Sequence, residues 1–183
     1  MKVLVTGAAG FIGGQLWHTL WQRGDEVVGI DNFSYGNLDN LKFDDHDFGP
    51  EVRRMDIRDR EALPKLFEEE KFDVVYNIAG IAPLPDCQSD PVQAVEVNTM
   101  GLVHVLKCAR RTGVKQVVQA STNAMYENET EFPTVESKFN PPTLIYPNTK
   151  YCGERFCQSF ADTYGMNITC LRFANVYGPH IDC

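Results

Sequence analysis

The chain opens on KVLVTGAAGFIGGQLWHTLWQRG. A short β-branched run is followed by three glycines, Gly7, Gly10 and Gly13, and then by apolar positions 12, 16 and 20 at helical spacing, stopped at Gly24. A strand that turns this tightly into a helix is carried back to start a second strand parallel to the first. The alternation continues down the chain. Strands are expected at 26–30, 52–57, 73–79, 114–121 and 167–173, and helices at 58–71, 92–112 and 146–164. Polar segments at 31–50 and 122–145, and a loop containing Pro83, Pro85 and Pro91, separate them. Several strands are apolar on both faces, as a sheet covered by helices on both sides requires. Right-handed crossovers then give an α/β fold, a doubly wound parallel sheet of Rossmann type, in one domain over 1–183.

Composition narrows the partners. The net charge is −8, and no Lys/Arg cluster suits nucleic acid or an anionic membrane surface, so neither is expected. No apolar run approaches the roughly 20 residues of a membrane span. MKVLVTG lacks the apolar stretch of a signal peptide, so a cytoplasmic location is expected. In that reducing compartment the six cysteines read as free thiols, and no Cys/His spacing suggests a metal site.

In a parallel sheet, ligands bind beyond the carboxyl ends of the strands, where Gly7, Gly10 and Gly13 fall. One glycine permits the turn, one admits a phosphate to the backbone, and the third lets the helix pack on the sheet. The helix N-terminus supplies N–H groups and partial positive charge for a pyrophosphate. Small-residue loops are common, so the pattern needs support. Asp31 provides it: it ends the second strand 24 residues after Gly7, near the spacing of a carboxylate that holds an adenosine ribose. A carboxylate there repels a 2′-phosphate, so NAD is favoured over NADP. Asp56, ending the third strand, lies on the same edge and either meets the adenine or is simply solvated.

YPNTK places Tyr146 and Lys150 on one face at the start of a helix. Without context such a pair is more often a surface contact. As chemistry, a fixed ammonium, aided by a nicotinamide cation, can lower a phenol from its usual pKa near 10. Bringing it to about 7 needs roughly 4 kcal/mol. Ser121 and Thr122 end a strand where a hydroxyl can reach a substrate oxygen. Asn98 lies inside a helix, where its amide either bridges to the site or faces solvent.

Together these motifs resemble the extended short-chain dehydrogenase/reductase family, the NAD-dependent nucleotide-sugar epimerases and dehydratases. The carrying motifs are TGAAGFIG, IDN, MDIRD, NIAG, DPVQAVEVNTMG, STNAMY, YPNTK and RFANVYGP, in order along the whole chain. The pattern is most similar to UDP-glucose 4-epimerase-like members. The resemblance implies Tyr146 as acid/base, Lys150 as the ribose-binding and tuning cation, and Thr122, rather than Ser121, as the assisting hydroxyl. It implies cofactor contacts at Phe11, Ile12, Asp31, Asn32, Asp56, Ile57, Ile78, Ala79, Gly80 and Asn98, and a nucleotide-sugar contact at Asn175 with a substrate that is a nucleotide-diphosphate sugar, UDP-linked in these members. It also implies a homodimer. Asn123 and Ala124 stand where the dehydratases carry acids, which argues against water elimination. Asn77 stands where many members have His. Members continue past VYGP into a smaller C-terminal substrate domain that is absent from this chain, so the chain alone is expected to show little activity. The expected reaction is 4-epimerisation through a transient keto sugar. A reductase or dehydrogenase of the same family, or a non-catalytic NAD-binding module or fragment, remains the alternative.

Overall fold

The computed structural model describes residues 1–131, 133–136 and 141–178. Six parallel strands form one sheet in the order β3-β2-β1-β4-β5-β6: β1 (Lys2–Thr6), β2 (Glu26–Asp31), β3 (Arg53–Arg54), β4 (Val74–Asn77), β5 (Gln116–Thr122) and β6 (Ile168–Phe173). The helices are α1 (Phe11–Gln22), α2 (Ala62–Glu70), α3 (Leu84–Ser89), α4 (Pro91–Val95), α5 (Leu102–Thr112) and α6 (Ile145–Tyr164). Strand order reverses beside β1, because β2 pairs with one edge of it and β4 with the other. This is the dinucleotide-binding arrangement, and the crevice at the reversal is its ligand position.

Two apolar layers cover the sheet. Leu4 packs with Leu63, Leu66 and Phe67 of α2 and with Leu102, Val105 and Leu106 of α5. Val3 and Val5, pointing to the opposite face, pack with Trp17 and Leu20 of α1 and with Leu41 and Phe48. Trp17 and Phe48 hold their ring centroids 5.0 Å apart. Each such side chain taken wholly out of water contributes roughly 2–3 kcal/mol. These layers clamp the carboxyl ends of β1, β4 and β5 together, and the site is built on those ends.

The structure corrects four local expectations. The strand expected over 52–57 is only Arg53–Arg54. Met55 N–H still donates to Asp31 O (2.9 Å), but Asp56 then folds into a turn, its Oδ1 accepting from Arg58 N–H at 2.8 Å. The next helix starts at Ala62 rather than 58, because Asp59 Oδ1 accepts from the N–H groups of Glu61 and Ala62 (2.9 and 2.8 Å). The proline loop contains α3, whose Pro83 and Pro85 occupy the N-cap and first turn, where a missing N–H costs nothing. The helix expected over 92–112 is continuous, but Glu96–Gly101 between α4 and α5 is a π-helical turn. Cys87, Cys108, Cys152, Cys157 and Cys170 are free thiols, and Cys183 lies outside the described residues. Among the described residues no helix is long and apolar enough to cross a membrane, and no group of three His, Cys, Asp or Glu suits a metal ion.

Candidate active site

A cleft of about 320 Å³ opens at the strand-order reversal. Its walls bring together Gly7, Gly10, Phe11, Ile12 and Gly13 from the first turn, Asp31 and Asn32 after β2, Asp56 and Ile57 after β3, and Ile78, Ala79 and Gly80 after β4. Gly7 has φ +67°, and a Cβ there would stand 2.8 Å from the Ala79 backbone. A Cβ on Gly13 would stand 2.0 Å from Gly7 O. Only glycine lets α1 begin this close to the turn. The N-cap Gly10 has no side chain to cap the helix, and no acidic residue lies in its first turn. The positive end of α1 is therefore offered to the cleft, as a diphosphate requires.

Asp31 is buried. Its Oδ2 accepts from Ala9 N–H (2.9 Å) and its Oδ1 from Phe33 N–H (2.7 Å). Burial pushes its carboxyl above the usual range, opposed by those two N–H groups and by Arg54. The carboxylate thus braces the glycine turn while facing the cleft. Asp56 is different: Arg58 Nε and Nη2 donate to it (3.0 and 2.8 Å), as does Asn32 Nδ2 (2.8 Å). The Arg58 guanidinium holds this carboxyl down to about 2. Asp56 is tied to protein partners within the cleft wall rather than simply solvated.

Tyr146 and Lys150 project from the first turns of α6. The Lys150 side chain is 6% exposed, and its Nζ donates to Ala120 O at 3.0 Å. A Cβ added to Gly80 would lie 3.0 Å from Lys150 Nζ, so the ammonium sits directly behind the cleft wall. Burial lowers the lysine to about 8. Burial also raises the Tyr146 phenol, with the Thr122 hydroxyl in hydrogen-bond reach opposing the shift. In the ligand-free chain the phenol is thus raised, and the lowering expected from the ammonium together with a nicotinamide cation is not met by the protein alone. Thr122 Oγ1 accepts from Ala124 N–H (3.1 Å), which leaves its own proton free for an oxygen at the site.

The lysine carries a stability cost with a defined pH window. Its folded pKa, about 8, lies below the unfolded value of 10.5. The unfolded chain therefore binds more protons between these values, and stability rises with pH across that range. Lys150→Met is expected to stabilise the ligand-free chain by about 3 kcal/mol below pH 8. The gain fades toward pH 10.5 and is read from urea midpoints at a series of pH values.

The pattern of the NAD-dependent epimerase/dehydratase family matches residues 3–182. The chain belongs to this family. It is 35% identical to UDP-glucuronate 4-epimerase 2 of Arabidopsis thaliana over 98% of this chain and 43% of the relative. Its structure is similar to that of a UDP-glucose 4-epimerase from Thermotoga maritima solved with UDP-glucose, with TM-score 0.92, 32% identity, and coverage of 100% of this chain and 58% of the other. A Thermus thermophilus UDP-glucose 4-epimerase solved with NAD gives TM-score 0.90 and 35% identity, with the same coverages. The chain spans about half the length of the curated relatives it matches.

Within this family member the other expected residues fall into distinct places. Ser121 Oγ donates to Glu154 Oε1 (2.6 Å), whereas its neighbour Thr122 is the hydroxyl within hydrogen-bond reach of Tyr146. Asn98 is buried but does not line the cleft. Its Oδ1 accepts from Ile81 N–H (2.8 Å), and its Nδ2 donates to Ile81 O and to Thr149 Oγ1 (both 3.0 Å). The π turn aims this amide at both, and such turns concentrate at functional positions. Asn98 thereby joins the strand end beside Gly80 to the helix of Tyr146 and Lys150. Asn175 is exposed just past β6, beyond the carboxyl edge of the sheet. A Cβ added to Gly178 nearby would stand 3.8 Å from the Phe11 ring. Sequence reasoning missed Arg58, whose two-residue spacing from Asp56 was the available signal. It also missed Tyr35, which lines the cleft and donates to Asp86 Oδ2 on α3 (2.6 Å).

Proposed function

We propose that this chain binds NAD and serves a nucleotide-sugar 4-epimerase, with a UDP-sugar as substrate. The observation that carries the reading is one cleft lined by the uncapped end of α1 and the buried Asp31 carboxylate, with the Lys150 ammonium directly behind its Gly80 wall and Tyr146 one turn away on the same helix. The glycine turn and α1 hold the diphosphate. Asp31 accepts from a ribose hydroxyl and disfavours a phosphate there. Lys150 holds the second ribose and favours the Tyr146 phenolate. When bound, NAD supplies a hydride acceptor that also returns the hydride. Tyr146 takes the proton of the sugar hydroxyl and gives it back, and Thr122 donates to the sugar oxygen. Asn175 contacts the nucleotide-sugar side. The likeness to 4-epimerases, and the absence of an acid at Asn123 and Ala124, support epimerisation over water elimination.

The same reading includes a homodimer in the cytoplasm. Val92 and Val95 on α4, Met100 in the π turn and Phe156 on α6 expose apolar surface on these helices, which supports pairing with a second copy.

The test is ligand binding followed by heat. NAD at about a hundred times its Kd adds close to 3 kcal/mol and raises Tm by about 5 °C or more. Asp31→Ala reduces NAD affinity about tenfold and narrows the preference over NADP, as a lost hydrogen bond to a charged acceptor predicts. A Tm indifferent to NAD, or an unchanged NAD-to-NADP ratio in Asp31→Ala, overturns the assignment.

A further inference from the structure

Beneath the cleft, a line of buried polar groups crosses three neighbouring strands and ends at Lys150. Ala79 N–H donates to Thr6 Oγ1 (3.2 Å), and Thr6 Oγ1 donates to Asn77 Oδ1 (2.7 Å). Asn77 Nδ2 donates to Gln119 Oε1 (2.7 Å), and Gln119 Nε2 donates to Ala120 O (2.8 Å). That carbonyl is also the acceptor of Lys150 Nζ. Thr6, Asn77 and Gln119 are 0%, 1% and 3% exposed. They are direct register partners across β1, β4 and β5, so their side chains share one face of the sheet.

Interior positions of a parallel sheet are normally apolar, and three polar side chains there are tolerated only when fully paired. The pairing has one direction. Thr6 Oγ1 accepts Ala79 N–H, so its own proton goes to the Asn77 oxygen. The Asn77 amino group then meets the Gln119 oxygen, and the Gln119 amino group is left to face Ala120 O. Bonds aligned this way polarise one another.

We propose that Gln119, oriented by Thr6 through Asn77, is a positioning residue for Lys150: it presents an amino group, not an oxygen, at the carbonyl the lysine uses. The inference rests on the reading of Lys150 as the cation of the site. With its nearest acceptor already shared, the ammonium gains no strong partner on the sheet side, and its remaining hydrogens stay available to the cleft. The titratable groups around it do not supply such a partner. Cys87 on α3 acts on it through charge, and Tyr146 and Glu154 lie one turn away on its own helix, with Glu154 engaged by Ser121 and Arg172.

The test reads the lysine directly and needs no cofactor. In chain carrying heavy-nitrogen lysine, the Lys150 Nζ resonance, identified by its loss in Lys150→Met, is titrated by NMR. Gln119→Glu places a carboxylate at the carbonyl that Nζ also uses, and the midpoint is expected to move up by about one pH unit or more. A merely structural role predicts lower stability with the midpoint unmoved, and that result overturns the proposal. If Gln119→Glu does not fold, the unaltered chain decides. The Gln119 side-chain amide should shift with the same midpoint as Lys150, and the shift should vanish in Lys150→Met. A Gln119 amide that stays flat through the lysine titration refutes the assignment, whatever NAD does.

Discussion

Tyr146→Phe, made in an enzyme that also carries the substrate domain, is expected to cut the proposed epimerisation by about 10³-fold while leaving NAD affinity nearly unchanged. The change removes one oxygen and keeps the ring. That ring is half-buried and packed beside Ile81 and Cys87, so its apolar contacts survive. What disappears is the hydroxyl to which the proposed function gives the proton exchange with the sugar, and with it the hydrogen bond that the phenol shares with Thr122. Burial raises the phenol in the ligand-free chain. On the proposed function, the lowering that a base needs comes from positive charge brought by the cofactor together with Lys150. This has a consequence for pH. The phenol of the NAD complex is expected to titrate well below that of the free chain, which a difference absorbance titration of the two detects. Unchanged turnover in Tyr146→Phe removes Tyr146 from the acid/base role.

Gly13→Ala is expected to destabilise the chain by about 3 kcal/mol or more and to abolish NAD-dependent stabilisation. The added methyl stands 2.0 Å from Gly7 O, 2.8 Å from Gly7 C and 2.9 Å from Ala8 Cα. All three are backbone atoms, so no rotamer change relieves the contact. The turn must move away from α1, and the proposed diphosphate site moves with it. Gly24→Ala is the control. Its φ is +88°, but nothing lies within 4 Å of the added atom. It pays only the left-handed strain, about 1 kcal/mol, and should keep its full NAD shift. Urea midpoints with and without NAD separate the two. Equal losses in both variants mean that close packing at the turn is not what Gly13 provides.

The parts of this protein legible in its sequence are those set over a few adjacent residues. Apolar periodicity placed the strands and helices, because side-chain direction repeats every two residues in one and every 3.6 in the other. The glycine turn, Asp31 at a strand end, and Tyr146 with Lys150 one helical turn apart follow from the same local geometry. The proline-bearing α3 and the two-residue β3 did not follow, since capping and turn bonds outweighed periodicity there.

What required the tertiary structure depends on contacts between residues distant in the chain. Asn98 finds Ile81 and Thr149 only because a π turn rotates its amide toward both. Ser121 and Thr122 are adjacent, yet alternation across β5 sends one to Glu154 and leaves the other at the phenol. Thr6, Asn77 and Gln119 form one line because the register of three strands sets them side by side. Exclusion of water does the rest: burial by helices from several parts of the chain moves Lys150 down and Tyr146 up. Local spacing determined which groups this protein carries; the packing of remote segments decided which way they point and what charge they bear.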